Sequence, residues 1–595
     1  MRILKSLIAS FLILLNVNAT YYIDLASGSD SNNGTSTGTA WQNVTKIASS
    51  TFSAGDTIYI KRGESHQITS ILALPSSGSA GNPITIDAYG TGAKPIIECI
   101  NVISGSTTSG NWTDTGGNVW TMSLATNPVR VWFDGTEQPA ADTGTHTIGT
   151  TYRWRWASSV LYVYSASGNP ATVPIDLQGL GDCLVVLNFN NKSNVTVRNL
   201  DLRGGYTATV QMRGPSNEVI EHSSIKYGST GINALAQSAG CTSSTLHTGL
   251  AVQYNDMDGG QRFASSGYDD MSGVGEGIFL RNGIEGAIIR GNTVANYPHS
   301  GVNLENLSAS CYGVKRVRIY DNIIHSADSY DGRCFSFIGT EASVEYNEFT
   351  RNVCRNQTVY SKLDANNNFV HHNIYAHVRN PIYNTASSNP IAGAVIFQST
   401  NTGFVSHDNI LAYNTFYDID AEGVRLDQQA SPSEIKYGNI VIGNIFVDTG
   451  LNTSASLTNV CINLEKGTNI GPNTITNNRC YNTNASTSIY RYNTTNYTAT
   501  NFNALDGTTP DAGSGNHVIQ NQATGDPLFE AIGSDNFKLT ASSPAINGGA
   551  TVYGVIDMDG SSATKDGSVP DQGAYEYGGA ITTRGVSVTN GVKFN

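Results

Sequence analysis

A short phrase recurs from about Cys183 to Asn484 and leaves few architectures open to the chain. NVTVRNLDLRGG, EGAIIRGNTVANYPHSGVNLEN, KRVRIYDNIIHSADS, ASVEYNEFTRNV, NNFVHHNIYAHV, VSHDNILAYNTFYDI and EIKYGNIVIGNIFVD each lead alternating apolar residues into an asparagine and on into further alternation. Asn199, Asn255, Asn292, Asn322, Asn347, Asn373, Asn414, Asn444 and Asn478 stand, for the most part, roughly 24 to 41 residues apart. That is the length of one solenoid coil with loops of varying size. An asparagine at the same turn of every coil bonds its neighbours above and below, satisfying backbone groups that a tight turn strands. A β-sandwich has no reason to repeat this way. The expectation is an all-β, right-handed parallel β-helix with an Asn ladder.

A chain of 595 residues would ordinarily divide into several domains. A solenoid escapes that rule, because each coil touches only its neighbours and the core grows along one axis. The 62 glycines and the 14% of charged residues suit turns and strands. A net charge of −13 argues against nucleic acid as a partner. An anionic substrate would have to meet a local basic cluster. Arg2 and Lys5, the apolar run Leu7 to Leu15, and Val17-Asn18-Ala19 read as a signal peptide over 1–19, so a secreted or periplasmic monomer is expected. No later run approaches the roughly 20 apolar residues of a membrane helix. The eight cysteines show no zinc-ligand spacing; buried free thiols and one or two disulfides are both compatible with an oxidising compartment.

Residues 20–100 form an N-terminal cap and first coils. Their YYIDLASGSDSNNGTSTGTAWQNV, AGDTIYIKRGE and GNPITIDAYGTGAKPII resemble the opening of a widespread group of secreted, pectate-lyase-like β-helix proteins, many of which act on polysaccharides. Residues 101–182, dense in Trp and Tyr, read as an antiparallel β-excursion whose aromatics build its own core. Residues 183–484 form the central helix with a substrate groove. Residues 485–595, with GDPLF and NFKLTASSPAINGG, form the last coils and a C-terminal cap.

In such coils the groove lies on the strand that follows the long loop. Here those strands are GIFLRN (from Gly277), GVNLEN (from Gly301), GRCFSFI (from Gly332), TVYSKL (from Thr358), AVIFQS (from Ala394) and GVRLDQ (from Gly423). With Ile278, Val302, Val359, Val395 and Val424 inward, alternation sends out one column of Phe279, Asn303, Tyr360, Ile396 and Arg425. A second column is Arg281, Glu305, Lys362, Gln398 and Asp427. The third strand is ambiguous: either Phe335 and Phe337 or Ser336 faces out.

This face suits uronate chemistry. A β-eliminating lyase needs a cation to neutralise the uronate carboxylate, a base for the C5 proton and an acid for the leaving oxygen. Lys362 is the expected base and Tyr360 the acid, with Arg333 or Arg425 gripping the carboxylate. Arg281, Asn303, Glu305, Gln398, Arg425 and Asp427 are expected to bind substrate, and His299, just before a groove strand, is an alternative base. TVYSKLDANNNFVHHN resembles the stretch around the catalytic lysine of the chondroitinase B and alginate lyase group. The resemblance covers about fifteen residues and implies a role for Lys362 alone. The metal-binding glutamates of that group do not precede Lys362, and Gln398 stands where that group has arginine.

Asp269, Asp270 and Glu276, with Asp328 and Asp331, form oxygen-rich loop clusters that suit Ca²⁺, although ordinary Asp turns explain them equally. His371, His372 and His377 lie on the far side of the coil and read as structural. Two alternatives to a lyase stay open. A glycoside hydrolase would pair Glu305 with Asp331, or Asp427 with Glu422. A non-catalytic binding solenoid would line its face with aromatics.

Overall fold

A computed structural model describes residues 18–577, except 129, 134–135, 139–146, 173–176, 181–182, 237–245, 261–274, 307–309, 326–331, 341–342, 359, 380–392, 398–405, 427–436, 451–459, 466–470, 484–489, 494, 509, 512–514, 551–568 and 576. The signal peptide expected over 1–19 lies almost wholly outside these residues. Among the described residues no helix is long and apolar enough to cross a membrane.

Three long sheets of 14, 16 and 13 strands run the length of the molecule. From Val195 onward the chain visits them in rotation, and successive coils pair in parallel. This is the right-handed parallel β-helix, the hand being that of nearly all parallel crossovers. Strands of the first sheet are often three residues long with one inward side chain. Ile220, Val252, Ile289, Ile319, Phe349, Val370, Leu411, Val441 and Ile475 form a single inward column. In the second sheet Tyr375, Phe416 and Phe446 stack inside at 4.8 and 4.7 Å. The ends of the core are covered locally. Trp41 stacks on Tyr21 at 5.1 Å at one end, and Phe502 of the Ala499–Asn503 helix stacks on Tyr490 at 5.0 Å at the other.

Two asparagine ladders hold the coils, where one was expected. The ladder after the first sheet runs Asn255, Asn292, Asn322, Asn352, Asn373, Asn414, Asn444 and Asn478. Each Oδ1 accepts the backbone N–H of the ladder residue below, and each Nδ2 donates to a carbonyl of the previous coil. A second ladder before that sheet joins Asn347, Asn368, Asn409, Asn439 and Asn473. Asn347 therefore belongs to the second ladder, and Asn352 takes its place in the first. Asn199 belongs to neither, because its amide turns to Asp87. The residue before each Asn of this first ladder adopts positive φ, at Tyr254, Asp321, Arg351, His372, Tyr413 and Asn477 as well as at Gly291 and Gly443. The ladders end on Gln522 and His517.

The 101–182 segment is an excursion from the coil. Disulfide Cys99–Cys183 joins its two ends. Its sheet of Trp112–Asp114, Val119–Ser123, Trp154–Ala157 and Val160–Tyr164 is antiparallel. Trp112 and Trp154 are buried in its own core, and their indole N–H groups bond backbone carbonyls. Cys334–Cys354 is a further disulfide, Cys311 is also disulfide-bonded, and Cys461 and Cys480 are buried thiols.

Asn373→Ala removes five side-chain hydrogen bonds inside the ladder. Leaving those groups unsatisfied is expected to destabilise the chain by about 3 kcal/mol. Urea unfolding measures this, and an unchanged midpoint would contradict the ladder's structural role.

Candidate functional site

The third sheet carries the expected groove face. Its outward column reads Phe279, Asn303, Ser336, Lys362, Ile396, Arg425 and Asn463, one residue per coil. Inward lie Leu280, Leu304, Phe337, Leu363, Phe397, Leu426 and Leu464, all fully buried. The ambiguous third strand resolves with Ser336 outward. The fourth strand corrects the expected register by two residues. Lys362, not Tyr360, stands in the column of Asn303. The row of Arg281 and Glu305 continues through Ile338 to Asp364, not to Lys362. The cause is that Ser361, and not Val359, occupies the inward row with Val395. A two-residue slip leaves every side chain on its proper face, so alternation does not reveal it.

A relay of side chains converges at the start of these strands. His299 Nδ1 lies 2.9 Å from Glu276 Oε1, and Arg333 Nη1 donates to His299 Nε2 at 2.7 Å. With Nε2 accepting, the ring carries its proton on Nδ1 and donates it to Glu276. Asn303 Nδ2 adds a longer contact to the same carboxylate oxygen at 3.4 Å. Burial opposes ionisation of Glu276, but the hydrogen bonds from His299 and Asn303 hold the carboxyl below its ordinary pKa. The Arg333 guanidinium sits over the Tyr360 ring, 5.5 Å from its centre. Glu276 is 1% exposed, whereas the His299 ring is 35% exposed and reachable from solvent.

Beside this relay, Lys362 Nζ pairs with Asp364 Oδ2 at 3.0 Å. Burial pushes the Lys362 ammonium below its ordinary pKa and Arg333 adds to the push; the Asp364 charge opposes both. In the next row Glu305 faces Arg281 at 3.8 Å. Burial, reinforced by the Glu276 charge, raises Glu305 to about 7 against the pull of Arg281 and Lys362. Ser336 Oγ and Asn303 Oδ1 are buried and make no hydrogen bond among the described residues. The face therefore combines two partly exposed guanidiniums, a lysine with weakened proton affinity and a carboxyl that titrates near neutrality.

The structure brings together Lys362, Tyr360, Arg333, His299, Arg281, Asn303 and Glu305. It sets Arg425 apart, since that guanidinium is 5% exposed and clamped by Glu465 and Glu422. Gln398, Asp427, Asp269, Asp270, Asp328 and Asp331 lie outside the described residues. Glu276, expected in a Ca²⁺ cluster, is turned to His299. No group of three or more His, Cys, Asp or Glu is arranged to hold a metal among the described residues. Asp364 and the Glu276–His299–Arg333 relay were not foreseen. Asp364 had a signal in the sequence, since Lys362-Leu-Asp364 alternates onto one face. His371 and His372 sit on the first sheet and its turn, away from the groove, with His371 bonded to Glu348.

No family model matches the chain. A stretch of 91 residues is 35% identical to the lacto-N-biosidase of Bifidobacterium longum subsp. longum, covering 15% of this chain and only 6% of that protein. Among solved structures, the complex of XylC with xylose is similar over 86% of this chain and 87% of that one, at 12% identity and a TM-score of 0.49. The GH136 lacto-N-biosidase of Eubacterium ramulus is similar over 85% and 67%, at 13% identity and a TM-score of 0.40. Pectate lyase Pel9A is similar over 94% and 97%, at 12% identity and a TM-score of 0.39. The fold described above stands on the sheets themselves.

Glu305 gives the face a pH signature. The folded-state value of about 7 lies above the ordinary glutamate value of 4.5, so the folded chain holds the extra proton between them. Stability from this group is present below the unfolded value and falls by about 3 kcal/mol as pH rises through that window. Glu305→Gln is expected to flatten this slope in urea unfolding measured across pH. An unaltered slope would contradict the burial of an ionisable Glu305.

Proposed function

We propose that this face is the active site of a secreted lyase that cleaves a uronate-containing polysaccharide by β-elimination. The observation that carries the reading is a buried lysine of weakened proton affinity beside Arg333, on a face where Arg281 is also partly exposed. In this mechanism Arg281 and Arg333 neutralise the uronate carboxylate, which makes the C5 proton acidic. Neutral Lys362 takes that proton, the C4–O4 bond breaks as the C4–C5 double bond forms, and the Tyr360 hydroxyl gives its proton to O4. Glu276 orients His299, which in turn fixes Arg333. An anionic substrate accords with guanidiniums gathered on one face of a chain of net charge −13. Ca²⁺ at the loop carboxylates Asp269, Asp270, Asp328 and Asp331 is a separate proposal, read by loss of activity on chelation. None of these steps passes through it.

One observation favours glycoside hydrolysis as the second reading. A Glu305 carboxyl that titrates at about 7 is suited to act as general acid. Asp364 lies two strands along the same row, across about 10 Å of sheet. That separation approaches the spacing of inverting enzymes.

Incubation with alginate, polygalacturonate, glycosaminoglycans and sulfated algal glycans separates the two readings. Elimination yields an ultraviolet-absorbing unsaturated uronate; hydrolysis yields reducing ends without it. Lys362→Met is expected to lower the elimination rate by roughly 10²- to 10⁴-fold with the fold intact. A folded Lys362→Met variant of full activity would remove Lys362 as the base.

A further inference from the structure

The antiparallel sheet of the excursion has two unlike faces. Trp112, Met122, Trp154, Leu161 and Val163 point into its core. On the opposite face Arg155 stands directly across from Tyr162, which pairs onward to Thr121 and Thr113. The Arg155 guanidinium lies over the Tyr162 ring at 4.6 Å. One row away, Arg153 lies over Tyr164 at 5.4 Å and Phe133 at 5.2 Å. Both arginines and both tyrosines are half-buried, whereas Phe133 is buried in the excursion's core.

Among the described residues no acid stands on this face. Between Asp142 and Asp176 the sequence has no Asp or Glu. Among the described residues neither arginine has a carboxylate partner; Arg153 donates to the Tyr164 carbonyl at 3.5 Å, and the Nε atoms of both are buried without a hydrogen bond. Elsewhere on the coils Arg198, Arg203, Arg351 and Arg379 pair with Asp87, Asp201, Asp321 and Asp418. A chain of net charge −13 has abundant carboxylates, yet this sheet holds two guanidiniums over aromatic rings with no carboxylate partner among the described residues.

We propose that this face binds the carboxylate or sulfate groups of an anionic polysaccharide, as a second binding surface separate from the groove. A guanidinium held over a ring is kept in place by it, while its Nη groups donate to an oxyanion. The surface is rigidly mounted. Cys99–Cys183 closes the base of the excursion, Trp132 packs edge-on against Tyr227 at 5.6 Å, and Arg130 donates to the Gly259 carbonyl. Tyr227 and Gly259 belong to the turns that precede the groove-sheet strands Thr230–Leu235 and Glu276–Arg281. A polymer held on the excursion is thereby kept close to the groove, which raises its effective concentration there.

Affinity electrophoresis of the full mature chain tests this, with alginate, polygalacturonate or dextran sulfate in the gel and neutral dextran as control. The wild type is expected to be retarded by an anionic polymer and not by dextran, with the retardation lost at high salt. Arg153→Gln with Arg155→Gln is expected to weaken that affinity roughly tenfold or more, with the melting temperature and the turnover of short oligosaccharides unchanged. Arg155→Lys, which keeps the charge but not the planar guanidinium, is expected to fall between the two. A folded double variant retarded like the wild type overturns the proposal, as does a wild type that no anionic polymer retards or that dextran retards equally. The readout is binding, so it stands or falls separately from the elimination chemistry.

Discussion

The amide of a buried asparagine, bonded to the coil below and the coil above, is the interaction on which the rest of this molecule depends. A parallel β-helix must turn its backbone tightly several times per coil, and each turn strands N–H and C=O groups where water does not reach them. Here the side chain of each ladder residue accepts the backbone N–H of its predecessor and donates to an earlier carbonyl. Two such ladders bracket the first sheet and fix the coil-to-coil register on both sides of it. Loops of very different length can then leave the coil elsewhere without disturbing the rise.

That register makes a site from residues far apart in sequence. Asn303, Lys362 and Arg425 stand in one column because each coil returns to the same height in the third sheet. The coil interior beneath them is apolar, so charges at the surface are poorly solvated and perturb one another strongly. Glu276 and Glu305 show the result. Both are carboxyls in one buried neighbourhood. The one bonded to His299 stays ionised, and the other is raised to about 7.

Much of this was legible from residue patterns, and the remainder was hidden for physical reasons. Alternation and the repeated asparagine set out the coil, the groove sheet and the outward places of Phe279, Asn303, Ile396 and Arg425. The slip at Lys362 was invisible because a strand displaced by two residues presents the same faces. The second ladder did leave a trace: Asn347 and Asn352, Asn368 and Asn373, Asn409 and Asn414, and Asn439 and Asn444 are all spaced five apart. The Glu276–His299–Arg333 relay left none. Its members come from the starts of three strands, and strand periodicity says nothing about how such ends meet. The burial of Arg425 against Glu465 was hidden in the same way, since that partner follows one coil later.

The mass balance of the cleavage products tests the central claim most directly. With a defined acidic oligosaccharide as substrate, elimination at the Lys362 face gives two fragments whose masses sum to that of the substrate. Fragments that sum to the substrate plus one water would show that the bond was hydrolysed. Lys362 would then not be the base of an elimination, and the Glu305 carboxyl would take its place at the centre of the site.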